Sequence, residues 1–582
     1  MSQPTKPQPS PIHLAATRRS ATPLSRSRLS KTSIAVLFRL GVARLALASF
    51  GLLCPTVAAV QNPHAAQLLQ AKADAAKKPA LTAPGAVTAP PNLPPGSDLY
   101  VSQHGDSITS VARKYLRHTK YLTSAELAEA IRAANQNRQG VFLKSGEQII
   151  IPGILEAPIV EKSVPVARDF EVRAIYLTGV MAGSDHGERI IRHWREVGGN
   201  AVVFDIKDSD GIINIAFDHP LATGQRHYIP DLPKFVHFLH SENMHAIARI
   251  AIFRDEHLVT THPELAVKSH STGQPWRENG KLVWTDPSNP KVQDYDIALA
   301  KYVAQSGVDE VQFDYVRFPA EGNQKDAEFS YQTDPTNRGL RAADHAEDAT
   351  ARVVTELHPV KAGQVPATTK SPMQRSEVIA NFLQRAYAQI HPTGVLLSLD
   401  VFGVMAWQRP VDLAHTGQDI VAMAKHCDVL SPMIYPSHFF GMDGIAHPGD
   451  APEHFRGESM DRFKLITKDS GVVIRPWLQA FAWRTKTYSP QYVEVQIEVA
   501  KQKGGVGFLF WNANNDYSKP YTAMPEMRAA KNKDRYFRGD EVGAKPETAA
   551  TAPLASNPTV ETGLASSPSD HGASPGQKNW HQ

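Results

Sequence analysis

Two aspartates close apolar runs that otherwise read as fully buried strands: Asp314 in DEVQFDYVRFPA (309–320) and Asp400 in GVLLSLDVFG (394–403). Side chains alternate between the two faces of a strand, so parity decides which of them can meet. Asp314 shares a face with Gln312 and opposes Phe313 and Tyr315, while Asp400 shares a face with Ser398 and opposes Leu399 and Val401. The same count groups Val203, Asp205 and Lys207 in NAVVFDIKD, and Arg475, Trp477 and Gln479 in GVVIRPWLQAF. With residues from two further runs, this predicts a cup of Asp205, Lys207, Asp314, Asp400, Tyr435, Gln479 and Asn512, walled by Trp407, Trp477, Trp483 and Trp511. Aromatic faces cover the C–H surface of a pyranose, and carboxylates and amides take its hydroxyls, so the set suits a sugar ligand. Cleaving a glycosidic bond needs one acid to protonate the leaving oxygen and a second carboxylate as nucleophile or base. Asp314 and Asp400 end neighbouring strands and make the natural pair. Asp205, Lys207, Arg317, Tyr435, Trp477, Gln479, Trp511 and Asn512 are the candidates for holding the sugar.

Each of these residues has a plainer reading. A single Asp after a strand is most often a helix cap or loop acid. Arg317 more commonly fixes a neighbouring loop through an ion pair than binds substrate, and the tryptophans can be core. Asp208 and Asp210 in KDSDG have part of a calcium-loop spacing without its full ligand set, and none of the 24 histidines forms a His-Glu-x-x-His pair. No metal and no cofactor are expected. There is no Gly-x-Ser-x-Gly elbow and no phosphate-cradling glycine loop, and Cys427 has no histidine placed beside it by any motif.

The elements that must position the acids follow from 169 onward. Eight apolar runs, EVRAIYLTG, NAVVFDIKD, HAIARIAIF, DEVQFDYVRFP, GVLLSLDVFG, DVLSPMIYPS, GVVIRPWLQAF and GGVGFLFWNAN, alternate with stretches that are apolar at helical spacing. Runs buried on both faces and separated by helices make a parallel sheet, and eight such units predict an α/β fold of the (β/α)8 barrel type. Two insertions, about 321–370 and HFFGMDGIAHPGDAPEHFRGES, leave the C-terminal ends of the fourth and sixth strands, the face on which such barrels place their sites.

Outside the barrel the text changes character. Residues 1–59 read as an export signal: Arg18, Arg19, Arg26, Arg28 and Lys31, then an apolar run interrupted by Arg39 and Arg44, then Ala58 and Ala59. The uninterrupted apolar part is shorter than the ~20 residues of a spanning helix, so no stable membrane span is expected after cleavage. Cleavage there would leave Cys427 as the single thiol, and the expected location is periplasmic, cell-envelope or secreted. Residues 60–97 are an Ala/Pro-rich linker and 539–582 a tail too poor in aromatics to fold. The 62 basic and 58 acidic side chains nearly cancel and form no basic arm, which argues against nucleic acid as a partner.

Residues 98–153 read as strand, helix, helix, strand. Ser107 with the following Ile108, Ala112 and Tyr115, Asn135, and the ending Gly146 with Ile149-Ile150-Ile151-Pro152 resemble a lysin-motif (LysM) domain, with departures at His104 and Ser107 and a longer segment between the helices. That resemblance implies binding to chains containing N-acetylglucosamine, such as peptidoglycan; the alternative is a small packing module. In the barrel, VRAIYLTG, NAVVFDIKDSDG, DEVQFDYVRFP, LSLDVFG, LSPMIYPSHF and RPWLQAF, in this order, resemble a bacterial glycosyl hydrolase domain family similar to the alpha-amylases. The resemblance covers about 170–536 and implies a glycoside hydrolase fold and a polysaccharide substrate, with the nucleophile after the fourth strand at Asp314 and the acid after the fifth at Asp400. Amylases have Glu at the latter place, and a third acid where this chain has Gln479. An exported hydrolase of cell-wall or extracellular polysaccharide is the leading expectation, and a glycan-binding scaffold on a degenerate barrel the alternative.

Overall fold

The computed structural model describes residues 93–333 and 374–537. The expected export segment, most of the linker, the tail and most of the first insertion lie outside them. In the N-terminal unit, β1 (Ser97–Val101) pairs antiparallel with β2 (Gln148–Pro152) beside α1 (Ile108–Tyr115) and α2 (Ser124–Ala134). Ser107 caps α1 by accepting the backbone N–H of Ser110, and Asn135 ties the end of α2 to β2 by donating to the carbonyls of Ile131 and Ile150 and accepting from Ile150 N. The buried Lys234 of the barrel donates to the carbonyls of Leu116 and Tyr121 and so latches this unit to its neighbour.

The eight apolar runs become a closed parallel ring: β3 (Val172–Leu177), β4 (Ala201–Lys207), β5 (His245–Ala251), β6 (Glu310–Asp314), β7 (Leu396–Phe402), β8 (Val429–Met433), a broken seventh strand made of β9 (Val473–Ile474) and β10 (Trp477–Gln479), and β11 (Gly507–Trp511), which pairs back onto β3. Pro476 supplies no ladder N–H, and the seventh strand is interrupted there. The fold is therefore the expected (β/α)8 barrel. Its helices include α3 (Asp185–Glu196), α4 (Leu232–Ser241), α5 (Pro290–Ala304), α6 (Arg375–Ile390), α7 (Pro452–Thr467), α8 (Pro490–Gln502) and α9 (Ser518–Ala529). Ser184, Asp231, Asn289 and Ser489 each accept a first-turn N–H, and in the last three cases a proline follows in the first turn, where its missing N–H costs nothing.

The lumen holds Val172, Ala174, Tyr176, Val203, Ile247, Tyr435, Trp477 and Leu509 as one packed cluster. Beneath it Arg475 reaches Glu310 at 2.8 and 3.0 Å, and His245 meets the same carboxylate at 3.1 Å, all three buried. Burial alone would raise the Glu310 pKa, but the Arg475 charge and the His245 bond hold it at about 2. A depressed acid contributes stability that is present above its unfolded pKa and lost as pH falls towards 2. Arg475→Met should lower unfolding free energy by about 3 to 5 kcal/mol in urea titrations, because it strands a buried charge. Adding Glu310→Gln should recover part of that loss, and a double variant no better than the single would contradict the pairing.

Candidate active site

At the C-terminal end of the ring the side chains gather around a residue that parity counting on the acids alone does not reveal, Arg249 of β5. Its Nη1 lies 2.5 Å from Asp205 Oδ1, its Nη2 2.6 Å from Asp314 Oδ2, and its Nε 3.2 Å from that same oxygen and 3.9 Å from Asp400 Oδ2. β5 sits between β4 and β6 with Arg249 level with Asp205 and Gln312, which is why one guanidinium can span both neighbours. The Tyr176 hydroxyl donates to Asp205 Oδ2, and the Trp477 indole N–H donates to Asp400 Oδ1 at 2.7 Å. Three carboxyls thus surround one cation.

That imbalance decides the protonation. Asp205 and Asp400 are almost wholly buried, and Asp314 is the most open of the three, with 11% of its side chain exposed. Three carboxylates around one guanidinium in a low-dielectric site repel one another more than the single cation offsets. Burial first, then the charge of Asp314, raises Asp400 well above the ordinary carboxylate range, with Arg249 and the Trp477 bond opposing. Burial also raises Asp205, against Arg249 and Tyr176. Asp400 is therefore the acid that holds its proton beyond the ordinary carboxylate range, and Asp314 is the acid a ligand can reach.

Local backbone aims Asp314. Its strand stops at Asp314, and Tyr315 takes a left-handed φ of +55°, a conformation a bulky residue adopts only where the surroundings impose it. The Tyr315 N–H donates to Asp314 Oδ1 at 2.6 Å, and the Tyr315 hydroxyl accepts from Arg254. Phe313 packs outward on Phe382 of α6.

Several expected residues lie elsewhere. Lys207 does not reach the mouth: the β4–β5 register shifts between Asp205 and Lys207, and that bulge turns the lysine into the helix layer. There its buried Nζ donates to Ile252 O, Asp255 and Asp296, the last at 2.6 Å. Gln479 is buried and spent on the loops, accepting from Ser437 N and donating to Phe481 O and Thr485 Oγ1. Asn512 is likewise buried and donates to Ala480 O while its Oδ1 accepts from Asn514 N. Arg317 makes no ion pair among the described residues; its guanidinium lies 4.5 Å from the rings of both Trp284 and Phe402 and donates to Phe318 O. Trp407 packs on Phe439 and under Arg462. Trp477 backs Asp400, and Tyr435 and the part-exposed Trp511 face each other at 5.9 Å along the wall.

The family model described as "Putative glycosyl hydrolase domain" matches residues 174–517. A hypothetical protein from Ruminiclostridium thermocellum is 32% identical over 39% of this chain and 97% of its own, with a TM-score of 0.30. The PgaB (BpsB) glycoside hydrolase domain from Bordetella bronchiseptica is 12% identical over 61% of this chain and 99% of its own, with a TM-score of 0.41. The spore cortex-lytic enzyme SleL from Bacillus megaterium is 13% identical over 73% of this chain and 85% of its own, with a TM-score of 0.34. No curated protein sequence matches the chain.

Proposed function

The chain belongs to this glycosyl hydrolase domain family and is a glycoside hydrolase by that membership; we propose that Asp314 and Asp400 are the pair that cleaves the bond. One observation carries the assignment. The same Arg249 nitrogen lies 3.2 Å from Asp314 Oδ2 and 3.9 Å from Asp400 Oδ2, so those oxygens are at most the sum of the two distances apart, about 7 Å. Carboxyl pairs of glycoside hydrolases stand ~5 to 10 Å apart. In this reading Asp400 protonates the leaving oxygen, and Asp314, turned to the mouth, is nucleophile or base. Asp205 and Tyr176 hold Arg249, whose fork fixes the Asp314 carboxyl in place. Trp511, with Tyr435 beside it, is the wall against which the sugar lies, and the buried Trp477 backs Asp400.

Asp400 works in its protonated form, and its raised pKa carries that form above the usual carboxylate range. kcat/KM should fall as pH rises through that pKa, giving a basic limb displaced upward from where an ordinary carboxyl would place it. Asp400→Asn should remove this limb and cost on the order of 10²- to 10⁴-fold on the natural glycan, with a much smaller loss on a dinitrophenyl glycoside, whose leaving group needs no proton. Equal losses on both substrates would deny Asp400 the acid role.

The substrate proposed is a cell-wall or extracellular polysaccharide, met after export and with residues 98–153 acting as a LysM-like tether. The order of basic, apolar and small residues in 1–59 supports export, and the strand-helix-helix-strand unit with its Asn135 clasp supports the tether. The full chain should co-sediment with purified peptidoglycan and be released by N-acetylglucosamine oligomers; failure to sediment would remove the tether. The near-complete burial of Asp400 and the Gln479 in place of a third acid favour a second reading, a glycan-binding barrel without turnover. It predicts binding with no release of reducing ends.

A further inference from the structure

The aromatic wall does not end beside the acids. Tyr435 lies 5.4 Å from His438, His438 5.0 Å from Trp483, and Trp483 5.7 Å from Phe440, ring centroid to ring centroid. The last two are 44% and 47% exposed, a costly way to display large apolar rings unless something covers them. Arg484 lies over both, its guanidinium 4.6 Å from the Trp483 ring and 4.1 Å from that of Phe440, and it has no carboxylate partner among the described residues.

The platform is built rather than loose. Buried Gln479 joins the two loops that carry it, accepting from Ser437 N on one side and donating to Thr485 Oγ1 on the other. Thr485 in turn donates to Trp483 O, and Asp450 of the second insertion accepts from Lys486 N, Thr487 N and Thr487 Oγ1. Within this clamp Arg484 holds a left-handed φ of +49°, which a non-glycine residue keeps only where its neighbours fix it. A guanidinium stacked on two rings is pre-oriented and keeps its N–H edge free, the arrangement that recognises a carboxylate by two parallel bonds.

We propose that Phe440, Trp483 and Arg484 form a distal subsite that stacks on one sugar ring and pairs with its carboxylate, so that the substrate is an acidic polysaccharide bound along the loops after β8 and β10. The inference rests on the glycan-hydrolase reading and adds the charge class of its substrate. It is tested by affinity electrophoresis of the full chain, at physiological salt, through gels containing polygalacturonate, carboxymethylcellulose or peptide-stripped wall glycan, each beside its carboxyl-reduced form. At least one acidic glycan should retard the wild type more than its reduced form does. Trp483→Ala should weaken that retardation on the order of tenfold. Arg484→Gln should erase the difference between acidic and reduced glycan, while Lys531→Gln, an equal loss of charge beyond α9, should not. Asp314→Asn should bind as the wild type does even where hydrolysis is lost, which separates failure of the subsite from failure of the catalytic assignment. Retardation by no acidic glycan, or retardation unchanged in Arg484→Gln and Trp483→Ala, would overturn the proposal.

Discussion

Asp314→Asn should lower kcat on the natural polysaccharide by at least ~10³-fold, the scale on which removing a reacting carboxylate acts, with little change in KM. The substitution keeps the volume and can still accept from the Tyr315 N–H, so the fold should tolerate it. Its cost in stability is confined to the partial loss of the Arg249 pair, which Asp205 continues to satisfy at 2.5 Å. Circular dichroism and urea midpoints would establish that the protein is intact. A fully folded Asp314→Asn variant with wild-type turnover would place the chemistry elsewhere.

Arg249→Met should be harsher, because it damages fold and site together. It leaves Asp205, Asp314 and Asp400 facing one another without the guanidinium that bridges them, and breaking such a buried network costs about 3 to 5 kcal/mol. With Arg249 gone, the Asp314 carboxyl loses the fork that orients Oδ2 and keeps only the Tyr315 N–H bond on Oδ1, so activity should be lost even in the fraction that folds. Arg249→Lys supplies one charge without the planar fork and should recover part of the stability but little of the rate. A urea midpoint for Arg249→Met equal to the wild type would show that the three acids do not depend on this guanidinium.

Much of this was legible in the sequence, and the exceptions have identifiable causes. The eight strands follow from apolar runs bounded by turn residues, and two-residue periodicity brings Asp205, Asp314, Asp400 and Trp477 into one lumen. Lys207 fails the same count because a single extra residue between it and Asp205 reverses its side, and a bulge leaves no mark in a strand of apolar residues. Gln479 and Asn512 have the expected position but spend their polar atoms on loops that fold back over them, a long-range outcome that spacing does not encode. Arg249 was within reach: a lone arginine inside HAIARIAIF must be paired if it is buried, and its parity points it at the acids of both flanking strands. Tyr176 carries the same signal more weakly, as a hydroxyl-bearing ring among aliphatic residues that needs a partner when buried.

If one carboxylate pair held at Arg249 cleaves a glycosidic bond, the products carry new reducing ends. The most direct test is the release of reducing ends from a panel of wall and extracellular polysaccharides, acidic and neutral, by purified wild-type, Asp314→Asn and Asp400→Asn proteins at equal concentration. Release by the wild type from at least one polysaccharide, with both variants reduced by ~10²-fold or more, is the predicted result. Equal release by all three proteins, or binding of the glycan with no release by any of them, would contradict it.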